Sequence, residues 1–364
     1  MTVGSDAVVT GVVTVGSCTV VGVVMVVGSV IAGPAAPDGA ASHCAASRPA
    51  TPIPASAAIF PRSSRIRRPP TKTTPERPGR LRAHGRPFYR GPMAKAFSVA
   101  SWNVEHFRSQ GRPSRVADVV AFLGDQKPDV FALYEVEGSE TFQALTKEMP
   151  KYTFHITEGP QVQEILVGVR QGLTGFFTQR VEFKSGDSLL RPGALLTVTV
   201  ADEHYPLLFL HTKSGTDPKG MGLRDDMLTR ALEFKKTLDG AAGRGKRAHY
   251  IFLGDFNLMG MEYMYVRDRD ILAAQELQKL TIGAGRRRMK VLEKDATHTW
   301  WGGATIDPSN LDFVVASDHL KFKQFDGHDV TVRGWPQLAD QAERVQWVTR
   351  YSDHALLYFE VQKV

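Results

Sequence analysis

Ile251-Phe252-Leu253-Gly254-Asp255-Phe256-Asn257 is the stretch on which the reading of this chain turns. The apolar run over 249–254 reads as a strand. It ends at once in a carboxylate and an amide. Strand ends are where a rigid frame presents reactive groups to solvent. A single Asp in such a place is more often a cap or a turn residue, so the pattern counts only if it repeats. It does so in five further clusters: Asn103 with Glu105, Glu135 with Glu137, His211-Thr212-Lys213-Ser214, Asn310 with Asp312, and Ser352-Asp353-His354. Six such clusters in one domain are hard to attribute to chance.

The elements that carry these clusters can be read outward from that strand. Phe97 to Val104 alternates as a strand does. Val116, Val119, Val120 and Leu123 fall at helical spacing within 114–126. A short apolar strand covers Val130 to Tyr134, and a helix is expected near 139–148. Further strands are expected near 152–157, 164–170, 194–200, 206–212, 311–316 and 355–361, with a helix over 222–239. On that helix Leu223, Met227, Leu228, Ala231 and Leu232 supply the buried face, leaving Arg224 and Arg230 outside. This interleaving predicts a layered α/β (α+β) domain of two packed sheets with outer helices. There is no internal repeat.

Residues 1–92 read differently. They hold eleven Lys/Arg against three acids, whereas 93–364 holds 34 basic and 35 acidic residues. The net charge of +7 therefore belongs to the first quarter, and it does not indicate a basic nucleic-acid-binding domain. Val8 to Ile31 approaches the length of a membrane span, but Gly and Thr dilute it, and no basic start marks a secretory signal. Residues 33–92, rich in Ala, Pro, Ser and Arg, show no apolar periodicity and read as disordered. Three readings stand for 1–92: an anchor with a linker, an atypical export signal, or translated sequence upstream of a natural start at Met93. The last is favoured, because organised sequence begins within four residues of Met93. The expectation is a low-complexity extension over 1–92 and a catalytic domain over 93–364. The compartment is cytoplasmic if Met93 initiates, and membrane-associated or exported if the extension is native.

Both cysteines, Cys18 and Cys44, lie in that extension, so 93–364 has no disulfide and no thiolate metal site. It lacks a His-x-x-x-His helix, a phosphate-binding Gly-x-x-x-x-Gly-Lys-Ser/Thr loop and a Gly-x-Ser-x-Gly elbow. Zinc hydrolase, nucleotide triphosphatase and serine esterase chemistry are thereby disfavoured. Clustered Asp, Glu and Asn oxygens suit Mg²⁺, Mn²⁺ or Ca²⁺. The remaining fit is hydrolysis of a phosphate ester by an activated water, with a metal stabilising the developing charge.

The order of Ser101-Trp102-Asn103-Val104-Glu105, Leu133-Tyr134-Glu135-Val136, Leu210-His211-Thr212-Lys213-Ser214, Leu253-Gly254-Asp255-Phe256-Asn257, Asn310-Leu311-Asp312-Phe313 and Ser352-Asp353-His354 resembles the successive motifs of the endonuclease/exonuclease/phosphatase superfamily, the DNase I-like fold. The resemblance spans Phe97 to Phe359. Thr297-His298-Thr299-Trp300-Trp301 resembles the Thr-x-Trp stretch that precedes the Leu-Asp element in many members. The resemblance implies a four-layer sandwich of two packed mixed sheets flanked by helices. It implies Glu135 as main metal ligand, with Asn103 and Asp353 completing the metal, phosphate or water network. It implies that His211 donates to the phosphoryl oxygens, that Asp255 and Asn257 orient water and phosphate, and that Asp312 orients His354 as general base or charge stabiliser. Two positions depart from the pattern: Tyr134 stands where Gln is frequent, and Asn310 stands near a frequent Arg, which puts one phosphate contact in doubt.

The substrate is a phosphate ester, with nucleic acid, a smaller phosphorylated compound or a lipid as candidates. A catalytically inactive binding relative is the reading from another class. No obligate protein partner is evident, and a monomer is expected. Arg286-Arg287-Arg288-Met289-Lys290 reads either as a grip on a nucleic-acid backbone or as a solvated loop. Trp300 and Trp301 divide between base stacking and core packing. Lys213 divides between phosphate and surface, and Glu137 is expected in a solvated loop.

Overall fold

A computed structural model describes residues 94–108, 113–159 and 163–364. The readings made for residues 1–92 lie outside the described residues. The chain runs β1 (Lys95–Phe107), α1 (Pro113–Gln126), β2 (Val130–Val136), α2 (Ser139–Glu148), β3 (Tyr152–Ile156), β4 (Glu164–Arg170), β5 (Thr174–Arg180), β6 (Gly193–Val200), β7 (Glu203–His211), α3 (Pro218–Ala242), β8 (Ile251–Asp255), α4 (Ala273–Arg286), β9 (Met289–Val291), β10 (Asp312–Ser317), β11 (Thr331–Arg333), α5 (Gln341–Arg350) and β12 (Leu356–Gln362).

Two six-stranded mixed sheets result, ordered β11-β12-β1-β2-β4-β3 and β5-β6-β7-β8-β10-β9. Each has one parallel pair near its centre, β1 with β2 and β7 with β8. Parallel neighbours need a crossover, which α1 and α3 supply.

The strand patterns show why the layers stack. In β7, Leu207 and Phe209 face a core shared with the other sheet, while Leu208 and Leu210 join a second core under α3 and α4. Ile251 and Leu253 alternate with Phe252 in the same way, as do Val314 and Ala316 with Phe313 and Val315. Strands buried on both faces require unbroken apolar runs, and these were the runs that the sequence showed. On the outer face of the first sheet, Val116, Val119, Val120 and Leu123 of α1, Leu145 of α2 and Trp347 of α5 pack into the first core. The order of layers is helices, sheet, sheet, helices.

Several elements were not anticipated. β5 is a largely exposed edge strand with little apolar alternation. The three-residue strands β9 and β11 are set by their partners rather than by pattern. Amphipathic α4 and α5 are likewise additional to the helices expected from the sequence. The basic stretch 286–290 is not a solvated loop: Arg286 ends α4, Met289 is buried, Arg287 pairs with Glu233 and Lys290 with Asp329.

Arg224 also departs from expectation. It is fully buried and bonds Glu276 through Nε at 3.0 Å and Nη2 at 2.9 Å. Its guanidinium further donates to the carbonyls of Lys213, Gly215 and Gly260, and Glu276 accepts from the amide of Gly260. One ion pair therefore fixes the loops that follow both His211 and Asn257. Removing one partner of a buried pair leaves an uncompensated charge. Glu276→Ala is expected to lower unfolding free energy by about 3–5 kcal/mol in a denaturant titration, whereas a loss confined to a few tenths would show the pair to be incidental.

Candidate active site

The polar clusters converge on one edge of the two sheets. Asn103 and Glu135 lie at the carboxyl ends of β1 and β2, and His211 and Asp255 at those of β7 and β8. Asp312 begins β10 opposite Asp255, and His354 precedes β12. Crevices outside the carboxyl ends of parallel strands are the usual ligand sites of α/β sheets.

Backbone geometry sharpens the placement. Register breaks between Asn103 and Phe107 in β1 and between Leu133 and Val136 in β2. Glu105, His106 and Glu135 there have φ of 38°, 47° and 61°. Non-glycine residues in the left-handed region carry strain and concentrate at functional sites. Arg115 of α1 holds this turn by donating to the carbonyls of Val104 and Glu105, and it also bonds the Tyr351 carbonyl just before Ser352-Asp353-His354. Across the seam, Gly254 has φ 140°, and a Cβ there would stand 2.0 Å from the Leu210 carbonyl oxygen and 2.8 Å from the Tyr134 hydroxyl. Only glycine lets the two sheets approach this closely beside Asp255.

Hydrogen bonds tie the seam together. Asn103 Nδ2 donates to Glu135 Oε1 at 3.0 Å and to Asp255 Oδ2 at 3.0 Å, one on each sheet. The ring of His354 bonds Asp312 Oδ2 through Nδ1 at 2.8 Å, and its Nε2 lies 3.7 Å from Asp255 Oδ2. His211 Nε2 stands 3.5 Å from Asp255 Oδ2 and 3.7 Å from Glu135 Oε1, while its buried Nδ1 has no hydrogen-bond partner. Tyr134 bonds Ser101 at 3.0 Å and reaches the Leu253 carbonyl of the other sheet at 3.5 Å. Thr299 Oγ1 accepts from the amides of Leu311 and Asp312, and Lys294 Nζ donates to the Asp312 carbonyl at 2.6 Å and to Asn310 Oδ1.

Some expected residues take different partners. The Asn257 side chain donates to the Thr212 carbonyl at 3.2 Å, and its amide bonds Asp255 Oδ1 at 3.0 Å. Asp353 accepts from Trp300 Nε1 at 2.7 Å and from Ser352, rather than from the Glu135–Asp255 group. Trp301 packs in the core. Asn103 turns its amide nitrogen to the carboxylates, while its oxygen accepts from Glu105 N. Glu137 is buried, not solvated, and pairs with His106 and Arg108.

Three residues of this edge had no cue in the sequence. The amide of His106 donates to Glu135 Oε2 at 3.0 Å. Gln163 bonds His106 and Glu135, and Arg191 bonds Gln163 through side chain and carbonyl. Gln163 and Arg191 come from isolated loop positions and His106 from the irregular end of β1, where no spacing marks them.

Electrostatics separates the titratable groups. Burial opposes ionisation of Glu135, but His211, the Asn103 amide and the His106 amide outweigh it and hold the carboxyl low. Burial, with Asp312 adding to it, pushes Asp255 up to about 7 against the pull of His354 and Asn103. Burial and Arg191 hold His211 below its usual 6.5 as a neutral imidazole. For His354 burial alone would depress the ring, yet Asp312 and Asp255 push it up to about 10.

The Endonuclease/Exonuclease/phosphatase family model matches residues 100–354. The chain belongs to this family, whose members are generally phosphoesterases. No protein of curated function matches it by sequence. Among solved structures it is similar to truncated TDP2 of Caenorhabditis elegans, with 17% identity, a TM-score of 0.53, and 73% of this chain and 98% of that chain covered. It is also similar to a humanised D. rerio TDP2, with 18% identity, a TM-score of 0.54, and 73% and 99% covered. At these identities the likeness bears on the fold, which is the DNase I-like sandwich.

The His354 shift has a consequence for stability. A folded-state pKa above the ordinary value of 6.5 means that the proton favours the folded state. Its contribution is complete below pH 6.5 and is lost as pH rises through about 10. In chelator-treated protein the melting temperature is expected to fall between about pH 6.5 and 10, and to fall less steeply in His354→Gln. Parallel slopes would contradict the assignment.

Proposed function

We propose that the chain is a divalent-cation-dependent phosphodiesterase in which Glu135 anchors the cation and Asp255, His354 and His211 act on the phosphate. The observation that carries this reading is the pair of hydrogen bonds across the seam, Asn103 to Asp255 and His354 to Asp312. They gather acids with opposed proton affinities and a cationic imidazole in one buried cleft.

The donor set fits a hard cation. The Asn103 NH₂ group donates to both Glu135 and Asp255, and burial is the main cause that raises Asp255, which a nearby cation would oppose. Oxygen donors without thiolate suit Mg²⁺ or Mn²⁺. Asp255, Asp312 and His354 also offer atoms within 4.8 Å of one another, but His354 Nδ1 is already bonded to Asp312. Glu135, whose carboxyl is held low, would therefore hold the cation, with the Asn103 carboxamide beside it. When bound, such an ion polarises a phosphoryl oxygen and stabilises developing charge.

The protein groups divide the remaining work. Asp255, poised near neutrality, takes the proton of the attacking water. Asn257, its amide on Asp255 Oδ1, holds that carboxylate's orientation. Asp312 fixes the ring of His354, whose charged Nε2 faces the same cleft and stabilises negative charge on the phosphoryl oxygens. Neutral His211 donates to them from the other side. Arg191, half-buried near Glu135 and Asp255, adds a positive charge.

A D. rerio TDP2 neighbour was crystallised with a single strand DNA product, which makes single-stranded DNA the first substrate to test. The near-zero charge of residues 93–364 favours a second reading, a small phosphate ester, because salt-driven binding to a polyanion needs cationic contacts.

A panel of bis-p-nitrophenyl phosphate, p-nitrophenyl phosphate, single-stranded DNA and phospholipid separates these readings. Phosphodiester turnover is expected with Mg²⁺ or Mn²⁺ and not with EDTA, and His354→Ala is expected to lower kcat/KM by about 10²–10⁴-fold, with Glu135→Ala abolishing the metal response. Turnover indifferent to EDTA and to Glu135→Ala would reject the proposal. Monoester or lipid turnover without DNA cleavage would decide for the second substrate class.

A further inference from the structure

A second group of imidazoles lies at the opposite end of the same strands. Glu203 begins β7, His249 precedes β8 and His319 follows β10. Glu203 is eight residues before His211 and His249 six before Asp255, so about 20–26 Å of strand separates this group from the catalytic edge.

The side chains are arranged in series. Glu203 Oε2 lies 3.1 Å from His249 Nε2, and His249 Nδ1 lies 2.8 Å from His319 Nε2. His249 stacks on Tyr205 with ring centroids 5.1 Å apart. Both histidines are largely buried, at 14% side-chain exposure, while Glu203 is 58% exposed. The far nitrogen of His319, Nδ1, is buried without a hydrogen-bond partner and stands 3.9 Å from Asp318 Oδ1. A cleft of about 720 Å³ opens on both rings.

This is the pattern of metal-binding histidines. Such a ring usually directs one nitrogen to the ion and the other to a carboxylate that fixes its tautomer. Here His249 and His319 turn one nitrogen each to the other, and His249 turns its second to Glu203, while His319 Nδ1 is left 3.9 Å from Asp318 Oδ1 without a hydrogen bond. Ligation at about 2.0–2.1 Å in a tetrahedral site would separate the two nitrogens by about 3.3 Å, an opening of roughly half an ångström. Arg247 and Lys235 bear on His319 and, after burial, help to hold it neutral, while each is itself paired, with Asp318 and Asp239.

We propose that His249 Nδ1 and His319 Nε2 bind a first-row transition cation of the Zn²⁺ class, with Glu203 orienting His249 from behind and water from the cleft completing the shell. Imidazole donors select such ions over Mg²⁺ and Ca²⁺, so the site is chemically distinct from the catalytic edge. It would clamp the ends of β7, β8 and β10 together.

The test is Zn²⁺ titration of the full chain against a chromophoric chelator. The wild-type chain is expected to bind one more equivalent than His249→Gln or His319→Ala, and Asp255→Asn is expected to retain that equivalent. Any ion held by Cys18 or Cys44 stays constant across these chains. Glu203→Gln, an exposed and conservative change, keeps the test valid if a histidine variant misfolds, and is expected to weaken the site by roughly 10–100-fold. Excess Mg²⁺ should not displace the ion. Unchanged Zn²⁺ binding in both histidine variants and in Glu203→Gln would overturn the proposal and leave a plain imidazole–imidazole hydrogen bond. Loss of the same equivalent in Asp255→Asn would also overturn it, by placing the ion at the catalytic edge.

Discussion

The carboxamide of Asn103 donates to Glu135 on its own sheet and to Asp255 on the other, and the candidate site depends on this bridge. Two sheets packed face to face must close their shared edge without burying unpaired charge. Here the edge carries three buried or half-buried acids, Glu135, Asp255 and Asp312, and Asn103, Tyr134 and the two histidines reach across beside them. The same bonds that satisfy these charges bring the reactive groups into one cleft. Folding and chemistry thus share one constraint.

The constraint explains why the apolar frame is so regular. The central strands of both sheets are buried on both faces, so their sequences are mainly apolar until the strand ends, with small Ser98 and Ser101 of β1 as exceptions. Polar side chains then appear together at one edge, supported from behind by Arg115, Arg224 and Lys294, whose donors end on main-chain carbonyls beside the site. These cations fix loops rather than face the cleft.

The central strands were legible because burial on both faces leaves an unambiguous mark, as in Ile251-Phe252-Leu253. The two βαβ crossovers followed from helical spacing in 114–126 and 222–239. Edge strand β5 and the short β9 and β11 were not, since their pairing is decided by neighbours distant in sequence. Among site residues, those in clusters could be read: Glu135, His211, Asp255, Asp312 and His354 meet as expected. Arg191, Gln163 and His106 could not, because each is a single residue, two in loops and one at the irregular end of β1, placed by tertiary structure. Arg224 and Glu137 were misread as exposed. Helical spacing assigned Arg224 by its charge, and only the fold shows that Glu276 and three carbonyls await it. The bonds of Asp353 to Trp300 and of the Asn257 side chain to Thr212 are likewise choices of geometry that spacing does not encode.

The central claim is that residues from both sheets work as one hydrolytic unit across the seam. A double-mutant cycle on Asp312 and His354, read as kcat/KM for bis-p-nitrophenyl phosphate with Mg²⁺, tests it most directly. If the carboxylate acts through the imidazole, Asp312→Ala and His354→Ala will each cost most of the activity, and the double variant will be little worse than either. Losses that multiply in the double variant would show the two residues acting independently and would contradict the account.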